Sequence, residues 1–185
     1  MEKPDRLNEI FALIDRYVML TFLVRLLTTH STKSAEEFNS SVYDIDFAEL
    51  GLSEGEVSDL GETPTVTMLR KYQSRIIELA EQASAQIFGH MVAFSDEDRL
   101  VIKEYVDSKV ADYINKIGVC QDDYLNLVVA IDESTKGSNN TITRALGKKA
   151  KASFNKLYEY NTICQNYSNI SSYLRGMTNR PGIKK

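Results

Sequence analysis

Apolar residues recur at three- and four-residue intervals along most of this chain, and that spacing constrains its fold more than any other feature. In the first helix, one face is traced by Leu7, Ile10, Phe11, Ile14, Val18 and Phe22. The same spacing predicts helices over residues 6–29, 64–93, 95–117 and 141–176. The short apolar run at residues 124–131 fits either a helix or a buried strand, and we favour a helix because no other strand candidate is long enough to pair with it. No apolar run with a two-residue period is long enough to supply a paired strand. We therefore predict an all-α, single-domain bundle of four to five helices over residues 1–185, with a long C-terminal helix.

Local signals set the expected helix boundaries. Thr63 and Pro64 are typical of a helix start, because Pro at the first turn lacks only an N–H that would have no partner. Ser95, followed by three acidic residues, predicts a second capped start. Gly118 predicts the end of that helix. Residues 132–140 are polar and are predicted to form a loop.

Residues 31–64 interrupt the helical period and are predicted to form an irregular arm after the first helix. A segment of this length without regular structure is unusual inside a compact domain and is typical of a binding loop or extended arm. The alternative is a connection that packs across its own bundle. Residues 177–185 are predicted to form a basic tail.

The second half of the first helix is apolar around nearly its whole circumference. Such a helix is buried on most sides, either in its own core or against another subunit. The residues that would form a subunit interface are Tyr17, Leu20, Phe22, Leu23, Leu26 and Leu27. This pattern predicts a homo-oligomer or a larger protein complex.

Composition places the chain among ordinary globular domains. Of its 185 residues, 43% are hydrophobic and 26% are charged. The longest charge-free run within the most apolar stretch spans residues 17–24, too short to cross a bilayer, so no membrane association is predicted. Two cysteines cannot build a disulfide scaffold, and no secretion signal is evident. We therefore expect a cytoplasmic protein, or one assembled into a virion formed in the cytoplasm.

Charge is distributed unevenly along the chain. Residues 141–185 carry nine basic side chains and one acidic one, whereas residues 1–140 carry 13 basic and 25 acidic side chains. A basic end can attract nucleic acid or the acidic surface of a protein partner, and both alternatives stay open. The residues predicted for this contact are Arg144, Lys148, Lys149, Lys151 and Lys156.

One short motif suggests an enzymatic alternative. Arg25 and His30 are separated by four residues. This spacing resembles the Arg-x4-6-His motif of HEPN-domain ribonucleases. The resemblance implies a dimer cleft in which Arg25 stabilises phosphate charge and His30 transfers protons. A snorkelling arginine and a histidine at a helix end are the simpler interpretation.

The remaining motifs favour a protein without catalytic function. The two histidines and two cysteines lack partners at ligand spacing, so we predict no metal site and no cofactor. Phosphate-binding glycine loops and hydrolase motifs are also absent from the sequence. We expect a non-enzymatic structural, assembly or adaptor subunit, with an architecture like that of phage connector components. Nucleic-acid binding is the first alternative and ribonuclease activity is the second.

Overall fold

The computed structural model describes residues 3–29, 45–61, 64–136 and 140–178. These residues form helices and turns, with no strand among them, so the prediction of an all-α bundle is confirmed. The α helices are α1 (Lys3–Thr29), α2 (Glu54–Leu60), α3 (Val66–Leu69), α4 (Gln73–Ala93), α5 (Asp96–Lys136) and α6 (Asn140–Thr178). A short 3-10 turn, Arg70–Tyr72, joins α3 to α4.

Side-chain caps begin three of these helices. Ser53 and Glu56 form a reciprocal capping box at the start of α2. The Ser95 hydroxyl accepts a 3.2 Å hydrogen bond from the Asp98 amide at the start of α5, as its sequence predicts. The start predicted at Thr63 and Pro64 was wrong by two residues. Thr65 caps α3 instead, because its hydroxyl accepts from the Met68 amide.

The hydrophobic core is built around α1. Ile14, Val18 and Phe22 are fully buried, and α4 packs along α1 with an apolar stripe of its own. The buried members of that stripe are Ile76, Leu79, Ala80, Ala83, Ile87 and Met91. On the other side of α1, the ring of Phe11 stacks on that of Tyr105 of α5 at 4.1 Å between centroids. The apolar circumference of α1 is thus filled by helices of the same chain.

Residues 45–61 pack on this core instead of extending from it. Phe47, Leu50 and Leu52 are buried, and so is Leu60 of α2. The guanidinium of Arg16 donates a 3.0 Å hydrogen bond to the Leu50 carbonyl, which fixes the turn against α1. For residues 45–61 the structure thus favours the alternative of a connection that packs across its own bundle over that of an extended arm. Residues 30–44 and 62–63 lie outside the part of the chain that the structure describes.

Helix α5 is longer than the sequence analysis predicts. It runs unbroken from Asp96 to Lys136, through Gly118, where an end was expected. The helices predicted at 95–117 and 124–131 are parts of one helix. Residues 132–136, which were predicted to belong to a polar loop, form its last turn. The cause is continuous packing on α6, because side chains on both sides of Gly118 face that helix. Together α5 and α6 form an antiparallel helical hairpin.

Candidate interaction surface on the helical hairpin

The two long helices pair through a seven-residue repeat. Along α5 the seam consists of Tyr113, Ile117, Cys120, Tyr124, Leu127, Ile131 and Ser134, all buried or half-buried. Along α6 it consists of Thr143, Leu146, Ala150, Ser153, Leu157 and Tyr160. Alternating steps of three and four residues keep both seams facing one another, as in a coiled coil. We call these residues the hairpin seam.

Two polar contacts fix the register of the hairpin. The Cys120 thiol donates to the Ser153 carbonyl at 3.2 Å. Near the tip, the hydroxyls of Ser134 and Thr143 are 2.7 Å apart. Residues whose numbers sum to about 275 therefore lie at the same height along the two helices.

The outer half of the hairpin lies beyond the hydrophobic core. The last residue of α5 that packs against the hydrophobic core is Tyr113, and the first such residue of α6 is Tyr158. We call the part between them, residues 114–136 and 140–157, the distal hairpin. At 1.5 Å per residue, its α5 portion extends about 35 Å. Contacts between α5 and α6 hold it together.

One face of the distal hairpin exposes large apolar side chains. Each residue of this face follows a seam residue by one position, and in an antiparallel pair those positions lie on the same side of both helices. We call it the open face: Ile114, Gly118, Gln121, Leu125, Val128 and Asp132 of α5, with Arg144, Gly147, Lys151 and Phe154 of α6. Ile114 is 57% exposed, Leu125 52% and Phe154 52%. Several large apolar side chains exposed on one face are typical of an interaction site.

The open face also holds two glycines in helix interiors. Among the described residues, no side chain or neighbouring helix lies within 4 Å of where a β-carbon on Gly118 or Gly147 would sit. Glycine destabilises a helix interior by about 1 kcal/mol relative to alanine. Packing within the single chain therefore does not explain why either position lacks a side chain.

The opposite side of the hairpin carries the rest of the molecule. There, Lys109 of α5 binds Asp15 of α1, and the Asn166 amide of α6 donates to the Val18 carbonyl of α1 at 3.3 Å. Lys109 and Asn166 each come one position before a residue of the seven-residue repeat, whereas each residue of the open face comes one position after such a residue. The two sets therefore lie on opposite sides of the hairpin. Helices α1 and α4 therefore leave the open face accessible along its length.

Charge separates along the distal hairpin. Its α5 portion holds four acidic and two basic side chains, whereas its α6 portion holds five basic side chains and no acidic one. Of the predicted contact residues, Arg144, Lys148 and Lys149 are exposed on α6. Lys151 is also exposed, whereas Lys156 is half-buried, 3.5 Å from the carboxylate of Glu159. The hairpin thus has an acidic helix beside a basic one.

A polar cluster joins α1 to the hairpin where the two meet. The Asp15 carboxylate accepts hydrogen bonds from the Tyr105 hydroxyl at 2.7 Å, the Lys109 ammonium at 2.8 Å and the Tyr167 hydroxyl at 2.7 Å. Burial alone would lower the pKa of Lys109, but its hydrogen bonds to Asp15 and Tyr105 outweigh that effect and raise the pKa to about 12. Burial and the bond to Asp15 raise the pKa of Tyr167. The cluster fixes the position of α1 on the hairpin.

Three clefts against α1 measure about 290, 750 and 770 Å³, and each is open to solvent. One, between α1, α4 and α6, has a volume of about 290 Å³ and is lined by Tyr17, Phe88 and Tyr173. Pockets for small ligands usually measure about 300–1,000 Å³. Arg25 is exposed on α1 and lines an adjoining groove. His30 lies outside the described residues, so the pairing of Arg25 with His30 stays a prediction.

The interface predicted on α1 is largely used within the chain. Leu20, Phe22, Leu23 and Leu26 are 0% exposed and Leu27 is 3% exposed, whereas Tyr17 is half-buried beside the cleft. In this arrangement the five aliphatic and aromatic side chains pack in the core and cannot also present an open surface. The exposed residues Leu125, Val128 and Phe154 were not singled out from the sequence. Their one-residue offset from the seam repeat is the signal that identifies them.

Comparisons with known proteins give no match: no family model, curated protein or solved structure is similar to this chain. No helix among the described residues is long and apolar enough to cross a membrane.

Proposed function

We propose that this chain is a non-enzymatic assembly subunit that acts through protein–protein contacts in a larger complex, with the distal hairpin as its contact surface. A cytoplasmic assembly such as a phage particle is one setting that fits this role. The observation that carries the proposal is the row of exposed apolar side chains on the open face. Removing such a surface from water is a principal driving force for protein association.

The shape of the hairpin supports the same role. Residues 3–29 and 64–93 supply most of the hydrophobic core, so the distal hairpin adds little to it. A two-helix projection about 35 Å long gives a partner access to both helices. Helical pairs of this kind bind partners by completing a larger bundle.

Cross-linking of isotope-labelled protein tests this proposal. Unlabelled and ¹⁵N-labelled chains are mixed at physiological salt, treated with an amine-reactive cross-linker and analysed by mass spectrometry. We expect mixed-isotope peptide pairs that include Lys136, Lys148 or Lys149. If every cross-link joins peptides of the same isotope, the chain does not assemble with itself and the proposed function is wrong.

Nucleic-acid binding is the second candidate, favoured by the exposed basic side chains on one stretch of α6. Lys148, Lys149 and Lys151 lie within one turn of each other. If they contact single-stranded nucleic acid, affinity falls with salt by a slope of about 0.7 per phosphate contact. Fluorescence anisotropy with labelled single-stranded RNA measures this slope. The triple alanine variant should flatten it, and an unchanged slope would exclude this segment as the contact.

A further inference from the structure

We infer that the open face binds the open face of a second copy of this chain, so that two hairpins form an antiparallel four-helix bundle. This inference rests on the proposed function and names the partner of its contact surface. In such a bundle each helix packs against two neighbours and has two apolar faces. Helix α5 has two such faces: the seam against α6, and the row containing Ile114, Leu125 and Val128.

Charge selects how the two copies stack. On the open face, α5 carries one charged residue, Asp132, and α6 carries Arg144 and Lys151. If α5 packed on the second copy's α5, the basic residues of the two α6 helices would face each other without an acidic partner. If α5 packs on the second copy's α6, Asp132 instead lies opposite Arg144, and the charges at that end of the open face are complementary. A two-fold axis parallel to the hairpin produces the latter arrangement twice, because each copy supplies one helix of each sign.

Side-chain size matches in the same arrangement. Residues of α5 and α6 lie at the same height when their numbers sum to about 275, and a two-fold axis parallel to the hairpin keeps this relation between the two copies. Val128 therefore lies level with Gly147 of the second copy. Asp132 lies level with Arg144, and Phe154 lies within one turn of Gly118. Val128 therefore faces a position that lacks a β-carbon, and Phe154 lies next to the other, so close approach of the helices gives both glycines a packing reason.

The available area is sufficient for a specific dimer. A face about 35 Å long and two helices wide, at about 10 Å per helix, offers about 700 Å² per copy. The total of about 1,400 Å² falls within the 1,200–2,000 Å² of standard specific interfaces. The bundle of α1 and α4 lies on the other side of the hairpin and leaves this approach free.

Dissociation constants from sedimentation velocity, measured from about 1 to 200 µM, test the inference with matched variants. Val128→Glu and Leu125→Glu each place a charge in the proposed interface, and we expect each to weaken the dimer by about tenfold or more. The control is Val119→Glu, because Val119 is 65% exposed on the other side of the same helix. It should leave the dissociation constant within about twofold of the wild-type value.

Gly118→Ala separates the dimer from the fold. A β-carbon at this position should raise the urea midpoint of the isolated chain, because alanine favours helix, and should weaken the dimer by crowding the close approach. If a glutamate variant fails to fold, the dissociation constant of Gly118→Ala still tests the dimer.

The outcomes distinguish this inference from the proposed function. A wild-type oligomer that is insensitive to Val128→Glu, or as sensitive to Val119→Glu, would overturn the open-face dimer while assembly stands. A wild-type chain that is monomeric throughout the concentration range would overturn both.

Discussion

Asp15 shows how a single polar residue specifies the packing of apolar helices. It lies within the most apolar stretch of the sequence, two positions before the charge-free run of residues 17–24. In the structure it accepts hydrogen bonds from Tyr105, Lys109 and Tyr167, which are 90 to 152 positions away. The sequence could not predict these partners, because nothing in local periodicity states which distant residue will face a carboxylate.

Replacing Asp15 with alanine should therefore lower the free energy of unfolding by about 1–3 kcal/mol, since it leaves polar groups without their acceptor. Asp59 offers a matched control. Its carboxylate accepts from the Tyr72 hydroxyl at 2.6 Å and lies 3.8 Å from the Lys71 ammonium, but its side chain is 54% exposed. Asp59→Ala should cost about 0.5 kcal/mol or less. Urea denaturation of both variants measures the difference, and equal losses would show that the Asp15 cluster has no special role.

The same cluster predicts alkaline instability. The folded chain raises the pKa of Lys109 to about 12 and, mainly by burial, raises the pKa values of Tyr105, Tyr113 and Tyr167. Each group binds its proton more tightly when folded, so this stability is complete below pH 10 or so. It is lost as the pH rises from there through the folded pKa values.

Tyr167→Phe should make that decline shallower by at most about 1.4 kcal/mol per pH unit, because one such group no longer titrates. Urea unfolding at intervals from pH 8 to 11 measures the slope, and Tyr173→Phe controls for the loss of a hydroxyl on an exposed ring. An identical slope in wild type and Tyr167→Phe would contradict the link between this hydroxyl and alkaline unfolding.

At the scale of the element, periodicity predicted which segments are helical, but it did not predict their neighbours. The apolar circumference of α1 fitted burial either in its own core or against a subunit. Only the structure places α4, α5 and α6 around it. Gly118 was interpreted as a helix end because a lone glycine is a common stop. The seven-residue spacing that continues from Tyr113 to Ser134 outweighs that signal, since seam contacts stabilise the helix on both sides of the glycine.

The distal hairpin should be less protected than α1 in the isolated chain. Backbone opening is easier where few buried apolar contacts hold a helix, so amides near Leu125 and Val128 should exchange faster than those near Val18 and Phe22. Hydrogen–deuterium exchange with mass spectrometry measures both segments. Protection of the distal hairpin should rise with protein concentration while that of α1 stays constant. A distal hairpin that is fully protected at the lowest concentration would contradict a surface stabilised by association.

At the scale of the whole molecule, the chain combines a core of packed helices with a projecting hairpin of two charge signs. The sequence predicted the helical class and the acidic-to-basic asymmetry. It did not predict that the basic residues would lie beside an acidic helix, because that depends on the antiparallel pairing of α5 with α6. The open face became recognisable only once the seam identified which positions remain outside.

The absolute molar mass of the wild-type chain, measured by light scattering after size-exclusion chromatography at physiological salt, decides whether the chain assembles with itself. Self-assembly through the open face predicts a species of twice 20.9 kDa that dissociates on dilution. A mass of 20.9 kDa at every concentration up to about 200 µM would contradict it, since burial of about 1,400 Å² is typical of a stable interface.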